Sequence, residues 1–266
     1  METYRLKNIA IVILLLLNGC LLLMVGYQKM QSLLTERRAA GQLQELYQAS
    51  QLALGEEVDL AQKPLGVRVL SRRTETEQAI ASSLLGGDPV TTSQGGGIYS
   101  YEAERGTIQF RAGGSFYGVR LELPVEDIEE FARDFCRRFG YEEPVFQLEN
   151  GSGSAIAGQL ADGVPVVNCS VELYFEDGRL ESVSGAHVSL EDALPEPGGQ
   201  MTCVTALCKF LDYRNASGAV CSEVVDARCV YQLQGASAPR LLPAWEVRTD
   251  TYTYYVDCVT GEVAGR

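Results

Sequence analysis

The chain has a single histidine, His187, and a single tryptophan, Trp245, and no two of its eight cysteines stand in C-x-x-C spacing. One histidine leaves any Ser-His-Asp or Cys-His mechanism a single residue to run through. Without paired cysteines at ligand spacing, a zinc ribbon or a dithiol redox motif is not expected, and no metal is predicted. Basic residues are also scarce, 22 Lys and Arg against 35 Asp and Glu, for a net charge of −13. That balance argues against nucleic acid as a partner, because phosphates demand clustered Lys and Arg. Gly151-Ser152-Gly153-Ser154 and Gly95-Gly96-Gly97 do not stand on strand-to-helix turns, so neither has the context of a phosphate loop or nucleophile elbow. No cofactor is predicted.

Charge is unevenly spread. The first forty residues carry Arg5, Lys7, Lys29, Arg37 and Arg38 against Glu2 and Glu36, a net of +3 that leaves −16 for the remainder. Within them, Ile9 to Val25 reads IAIVILLLLNGCLLLMV, uncharged and close to the minimum length for a membrane-spanning helix. Gly26 and Tyr27 extend it to the interface, where Tyr is favoured. A cleaved signal would end at a small-x-small site, and none follows Val25 directly. The run is therefore predicted to be an uncleaved anchor over 9–27, with residues 1–8 inside the cell and the acidic body outside. Asn18 and Gly19 are the candidate transmembrane contact: the amide is able to hydrogen-bond across to another helix, and the glycine lets that helix come close. The bland alternative is an Asn18 that faces nothing.

Seven cysteines remain in the body, an odd number that cannot all pair within one chain. Buried thiols acting as small apolar groups are the favoured reading. Disulfides among Cys203, Cys221, Cys229 and Cys258 stay open as an alternative in an oxidising compartment.

Along the body, residues 28–62 favour helix and are predicted to form a juxtamembrane stalk. Lys63-Pro64 marks a linker, Val67 to Leu70 a strand and Thr74 to Leu85 a helix, with Thr74 and Glu77 spaced as a capping box. Residues 95–123 alternate as strands around glycine turns. Pro124 is predicted to open a helix, PVEDIEEFARDFCRRFG, whose acidic start and basic end suit the helix dipole. Strands follow, with Asp177-Gly178 as a hairpin turn. A third helix, QMTCVTALCKFLDYRN, and three more strands repeat that order. The predicted fold class is α+β: a transmembrane helix and stalk, then two related helix-plus-antiparallel-sheet units over 63–195 and 196–266.

The stretch Leu241 to Val263, LLPAWEVRTDTYTYYVDCVTGEV, resembles the end of a PepSY-type repeat, with Cys258 where that pattern often has Ala. The opening, MxxYRLKNIAIVILLLLN, and the layout of anchor, stalk and two units resemble the YycH/YycI proteins of Gram-positive bacteria, closer to YycI in length. The resemblance is specific in about the first and last twenty-five residues. It implies a non-enzymatic, membrane-anchored accessory regulator of a sensor histidine kinase that controls cell-wall metabolism. Its implied partners are that kinase and a sister YycH-like protein. A PepSY-like inhibitor or chaperone of an exported peptidase is the alternative reading.

Three further groups are candidates for function. His187 lies in SGAHVSLED near Ser184, Ser189, Glu191 and Asp192, and a surface or hydrogen-bonded role is favoured over a catalytic one. Glu126, Asp127, Glu129 and Glu130 are explained by their helix start. Trp245, Tyr252, Tyr254 and Tyr255 gather near the last hairpin as a candidate exposed contact. Alternation sends Tyr252 and Tyr254 to one face and Tyr255 to the other, so part of this group is core.

Overall fold

The computed structural model describes residue 18 and residues 38–198 and 201–265. Asn18 is helical and exposed. The rest of the predicted anchor, Gly19 and the stalk up to residue 37 lie outside the described residues. Among the described residues, no helix is long and apolar enough to cross a membrane.

The fold is α+β, built on one large, mostly antiparallel sheet. Its first part is a meander of β3 (Val90–Gly95), β4 (Ile98–Ala103), β5 (Gly106–Arg111) and β6 (Ser115–Pro124). β6 pairs with β10 (Arg179–Ala186), β10 with β9 (Val164–Glu176), β9 with β8 (Ser152–Ala161), and β8 with β7 (Val145–Glu149). The Asp177-Gly178 turn between β9 and β10 has φ of +48° and +73°. Two successive left-handed residues define the tight turn whose twist matches a hairpin, and Asp and Gly tolerate that backbone best.

Helices α2 (Thr74–Leu85) and α3 (Ile128–Arg138) cover one face of this part. Ile80, Leu84 and Leu85 of α2, and Ala132 and Phe135 of α3, enter a core with Ile108, Phe110, Leu121, Leu173 and Phe175. Each such apolar side chain taken from water contributes roughly 1.5–3 kcal/mol.

The second part uses β12 (Glu223–Gln234), β13 (Arg240–Thr249), β14 (Thr253–Asp257) and β15 (Val263–Gly265), all antiparallel to their neighbours in the series. Helix α4 (Cys203–Ser217) packs over them through Leu207 and Phe210 against Trp245, Val247 and Val256. Both parts thus run helix, then four successive strands. Their hairpin turns differ: β9 and β10 join through two residues, whereas between β13 and β14 Thr249 and Tyr252 bracket a wider turn in which both the amide and the hydroxyl of Thr249 donate to the Tyr252 carbonyl.

The two parts meet where β12 lies parallel to β9 through one pairing, Tyr231 with Val166. The amide of Asn168 extends that contact as a main chain would, donating to the Leu233 carbonyl and accepting from the Leu233 N–H, each at 2.7 Å. A small third core of Leu70, Val166, Cys169, Val188, Tyr231 and Leu241 fills the junction. β2 (Val67–Val69), whose sequence lies in the first predicted unit, adds to β13 and to β11 (Leu194–Glu196). The boundary at residue 195 therefore does not separate the strands spatially.

Two local expectations need correction. Thr74 does not cap α2: the capping position is Arg73, without a side-chain cap, and Glu77 turns to Arg72 instead. Pro124 does not open α3, because it ends β6, paired with Arg179, while Val125 N–H donates to the Gly178 carbonyl at 3.0 Å. The cap is Asp127, whose carboxylate accepts from Glu130 N–H at 3.0 Å. The described part of the predicted stalk packs on the second part of the sheet. Helix α1, described over 38–49, buries Leu43 and Tyr47 beneath α4, and Leu52 follows them into the second core. β1 (Ala53–Leu54) then pairs with β12, and Gln62 accepts from Cys229 N–H at 3.1 Å. Two apolar residues four apart predict a packed face but do not name what packs on it.

Candidate functional site

A small cleft of about 50 Å³ opens between the start of α2, the β5–β6 turn and the loop after β10. Arg72 forms its floor. The guanidinium donates to both carboxylate oxygens of Glu77, at 2.7 and 2.9 Å, and to the carbonyls of Gly97 and Phe110 at 2.5 and 3.4 Å. It also lies 4.2 Å from the centre of the Tyr99 ring. Tyr101 donates its hydroxyl to Glu77 at 3.1 Å, and burial pushes that phenol's pKa well up. A two-pronged Arg–carboxylate pair of this geometry is among the stronger polar contacts, and removing either partner leaves a charge stranded. Arg72 thereby fastens the segment between β2 and α2 to the β3–β4 turn and the end of β5.

His187 lines the same cleft, with Ser71 and Ser189. Its ring stands edge-on to Phe139 and Tyr141, with centres 6.5 and 6.0 Å apart, and hydrogen-bonds to the Phe139 backbone. Burial lowers its pKa to about 4, outweighing that hydrogen bond, so the imidazole is neutral at neutral pH. The carboxylates near it in sequence are directed elsewhere: Glu191 and Asp192 both pair with Arg73. Ser189 accepts from Glu191 N–H at 3.1 Å, a local turn contact, and Ser184 is exposed on β10. These groups clip the loop to α2 and do not form a nucleophile–base–orienter series.

The aromatic group near the last hairpin is split by the fold. Trp245 is fully buried, its indole N–H donating to the Met201 carbonyl at 2.8 Å, and Tyr254 is buried against Phe210 and Tyr213. Tyr255 is half-buried and donates to Glu246 at 3.0 Å. Tyr252 alone of the four is exposed, at 64%. It belongs to the turn before β14, so strand alternation does not place it with Tyr254. As an exposed contact, the predicted group reduces to Tyr252, and Trp245 and Tyr254 are core.

The seven described cysteines are free thiols, six buried and Cys208 half-buried. Burial pushes Cys136, Cys169 and Cys203 up to about 12, which removes their thiolate character. Cys229 and Cys258 share a hydrogen bond that holds Cys229 below the ordinary thiol range and Cys258 well above it. Among the described residues, no cluster of three His, Cys, Asp or Glu side chains is placed to hold a metal ion. Glu126, Asp127, Glu129 and Glu130 line an open, shallow depression at the start of α3, where Arg133 pairs with Glu129 and Glu143.

Sequence reasoning missed Arg72 and Glu77. Their charges were visible, but Glu77 also fitted a local capping signature. It missed Tyr47 as well, whose hydroxyl donates to the Leu207 carbonyl of α4 at 2.9 Å across 160 residues of sequence.

No family model matches the sequence, and no curated protein matches it. A crystal structure of an uncharacterized protein from Eubacterium rectale is similar over 80% of this chain and 85% of that chain, at 12% identity and a TM-score of 0.41.

Proposed function

We propose that the chain is a membrane-anchored, extracytoplasmic accessory regulator of a sensor histidine kinase controlling cell-wall metabolism, acting by protein–protein contact. The observation that supports this most is the clamp on the segment following the anchor. Leu43, Tyr47 and Leu52 sit in the second core, and Arg214 of α4 donates to the carbonyls of Ser50 and Cys221 at 3.2 and 3.1 Å. A body fused to its juxtamembrane helix moves with it, so a contact made outside the membrane biases the packing of the anchor. Such a contact shifts a partner's equilibrium if it differs between the partner's states. Asn18 and Gly19 are the proposed contact inside the membrane, with the kinase and a sister YycH-like protein as partners.

A second reading, a PepSY-like inhibitor or chaperone of an exported peptidase, is favoured by the run of α4 followed by four antiparallel strands, which suits a PepSY-like unit. Purification of the tagged full chain from detergent-solubilised membranes separates the two. Recovery of a histidine kinase that falls when Asn18 and Gly19 are replaced by Leu supports the regulator. Recovery of a peptidase supports the second reading, and recovery of neither overturns both.

A further inference from the structure

The edges of the sheet are defended unequally. β11 is three residues long with Pro195 at its centre, β15 is three residues and β1 two. β7 follows Pro144 and ends on the charged Glu149. Short length, proline and charge are the usual devices that stop an edge from recruiting another strand. β3 has none of these three within its span, and its one irregularity, a register shift against β4, is confined to its end between Ser93 and Gly95. It is six residues, Val-Thr-Thr-Ser-Gln-Gly, all exposed and all uncharged, and it ends the sheet with β4 as its neighbour. Thr and Val favour extended backbone, so the strand is suited to accept a partner along its free side.

We propose that β3 is a self-association edge, on which a second copy of this chain adds its own β3 antiparallel about a two-fold axis. A two-fold contact places the same strand against itself, and pairing centred on Thr92 sets Thr92 opposite Thr92 and Thr91 opposite Ser93, short of the irregularity that follows Ser93. The central pairs carry hydroxyls, which stabilise neighbouring strands by hydrogen bonding. Charge selects the occupant. Two copies at net −13 repel over most of their surface, and β3 is an uncharged strip where a second copy approaches without like charges in register. A charged strand from an unrelated partner finds no opposite charge on β3 to fix its register. The pairing joins two sheets into one continuous sheet and satisfies the main-chain groups left open on β3. It goes beyond the proposed regulator role and does not depend on it.

The test uses the detergent-solubilised full chain, with oligomeric state measured by analytical ultracentrifugation. Three samples are compared: wild type, a Thr91→Lys/Ser93→Lys chain and a Thr91→Glu/Ser93→Glu chain, each checked for unchanged thermal unfolding. The wild type is expected to dimerise. Each charged variant is expected to weaken the dimer by roughly tenfold or more, because like charges then face one another across the join. Mixing the Lys and Glu variants is expected to restore dimers, which a general folding defect would not allow. A monomeric wild type, dimers of unchanged strength in both variants, or a mixture that stays monomeric would each overturn the proposal.

Discussion

The hydroxyl of Tyr47 donates to the Leu207 carbonyl at 2.9 Å, tying α1 to α4 of the last unit. The ring is 1% exposed, and burial pushes the phenol's pKa well up, so it stays protonated as a donor. Replacing Tyr47 by Phe removes the hydrogen bond alone and is expected to cost about 1 kcal/mol. Tyr47→Ala opens a cavity and is expected to cost about 3–5 kcal/mol. Urea unfolding of both variants checks the two values. Equal, negligible losses would mean that the helix is not docked.

Trp245 is the single tryptophan in the chain, so its fluorescence reports one site. Full burial predicts blue-shifted emission that resists iodide quenching, and a red shift as the second core unfolds. Native emission already at the solvent-exposed wavelength would restore Trp245 to the exposed group. Tyr252, at 64% exposure, is expected to tolerate Tyr252→Ser with a change within about 0.5 kcal/mol.

Arg72 and Glu77 form a mostly buried ion pair that also holds the Gly97 carbonyl and the Tyr101 hydroxyl. Arg72→Met or Glu77→Leu alone strands the other charge and is expected to cost about 3–5 kcal/mol. The double variant is expected to cost less than the sum, because each single change already breaks the pair. Thermal or chemical unfolding of the four proteins gives the coupling, and strict additivity would show that the pair does not act together.

His187 makes stability depend on pH. Its folded pKa, about 4, lies below the ordinary 6.5, so between those values the unfolded chain binds more protons than the folded one. Stability from this group is intact above pH 6.5, declines as pH falls and levels off below pH 4. The total is on the order of 2–3 kcal/mol after allowance for partial exposure. Asp162 and Glu191 line the depression beside the ring, so the signal lies in the difference from His187→Gln. Wild type is expected to lose more stability than the variant between pH 7 and 4. Parallel curves would mean that the imidazole is solvated.

Local pattern carried much of the fold. The helix expected over Thr74 to Leu85 has those ends as α2, although the cap expected at Thr74 is absent, and Asp177-Gly178 marked its hairpin. What failed to show locally was any contact made across the chain. Thr74 and Glu77 have the spacing of a cap, but Arg72 beneath the Tyr99 ring offers Glu77 a stronger partner. Pro124 suits a helix start, yet main-chain pairing with Arg179 keeps it in a strand. The parallel join of β9 and β12 rests on Tyr231, Val166 and the Asn168 amide, none of which carries a periodic signal. Tyr252 and Tyr254 parted because a turn interrupts the alternation that would put them on one face.

The proposed regulator role rests on the docking of α1 to the body, and a flexible insertion tests that link. A glycine–serine segment placed between residues 37 and 38 leaves the apolar run and the body unchanged while uncoupling one from the other. The readout is autophosphorylation of the co-purified histidine kinase in reconstituted vesicles, with wild type, the insertion variant or no added chain. The expected result is a wild-type shift in the kinase rate that the insertion abolishes; a rate that is the same in all three samples would contradict the role.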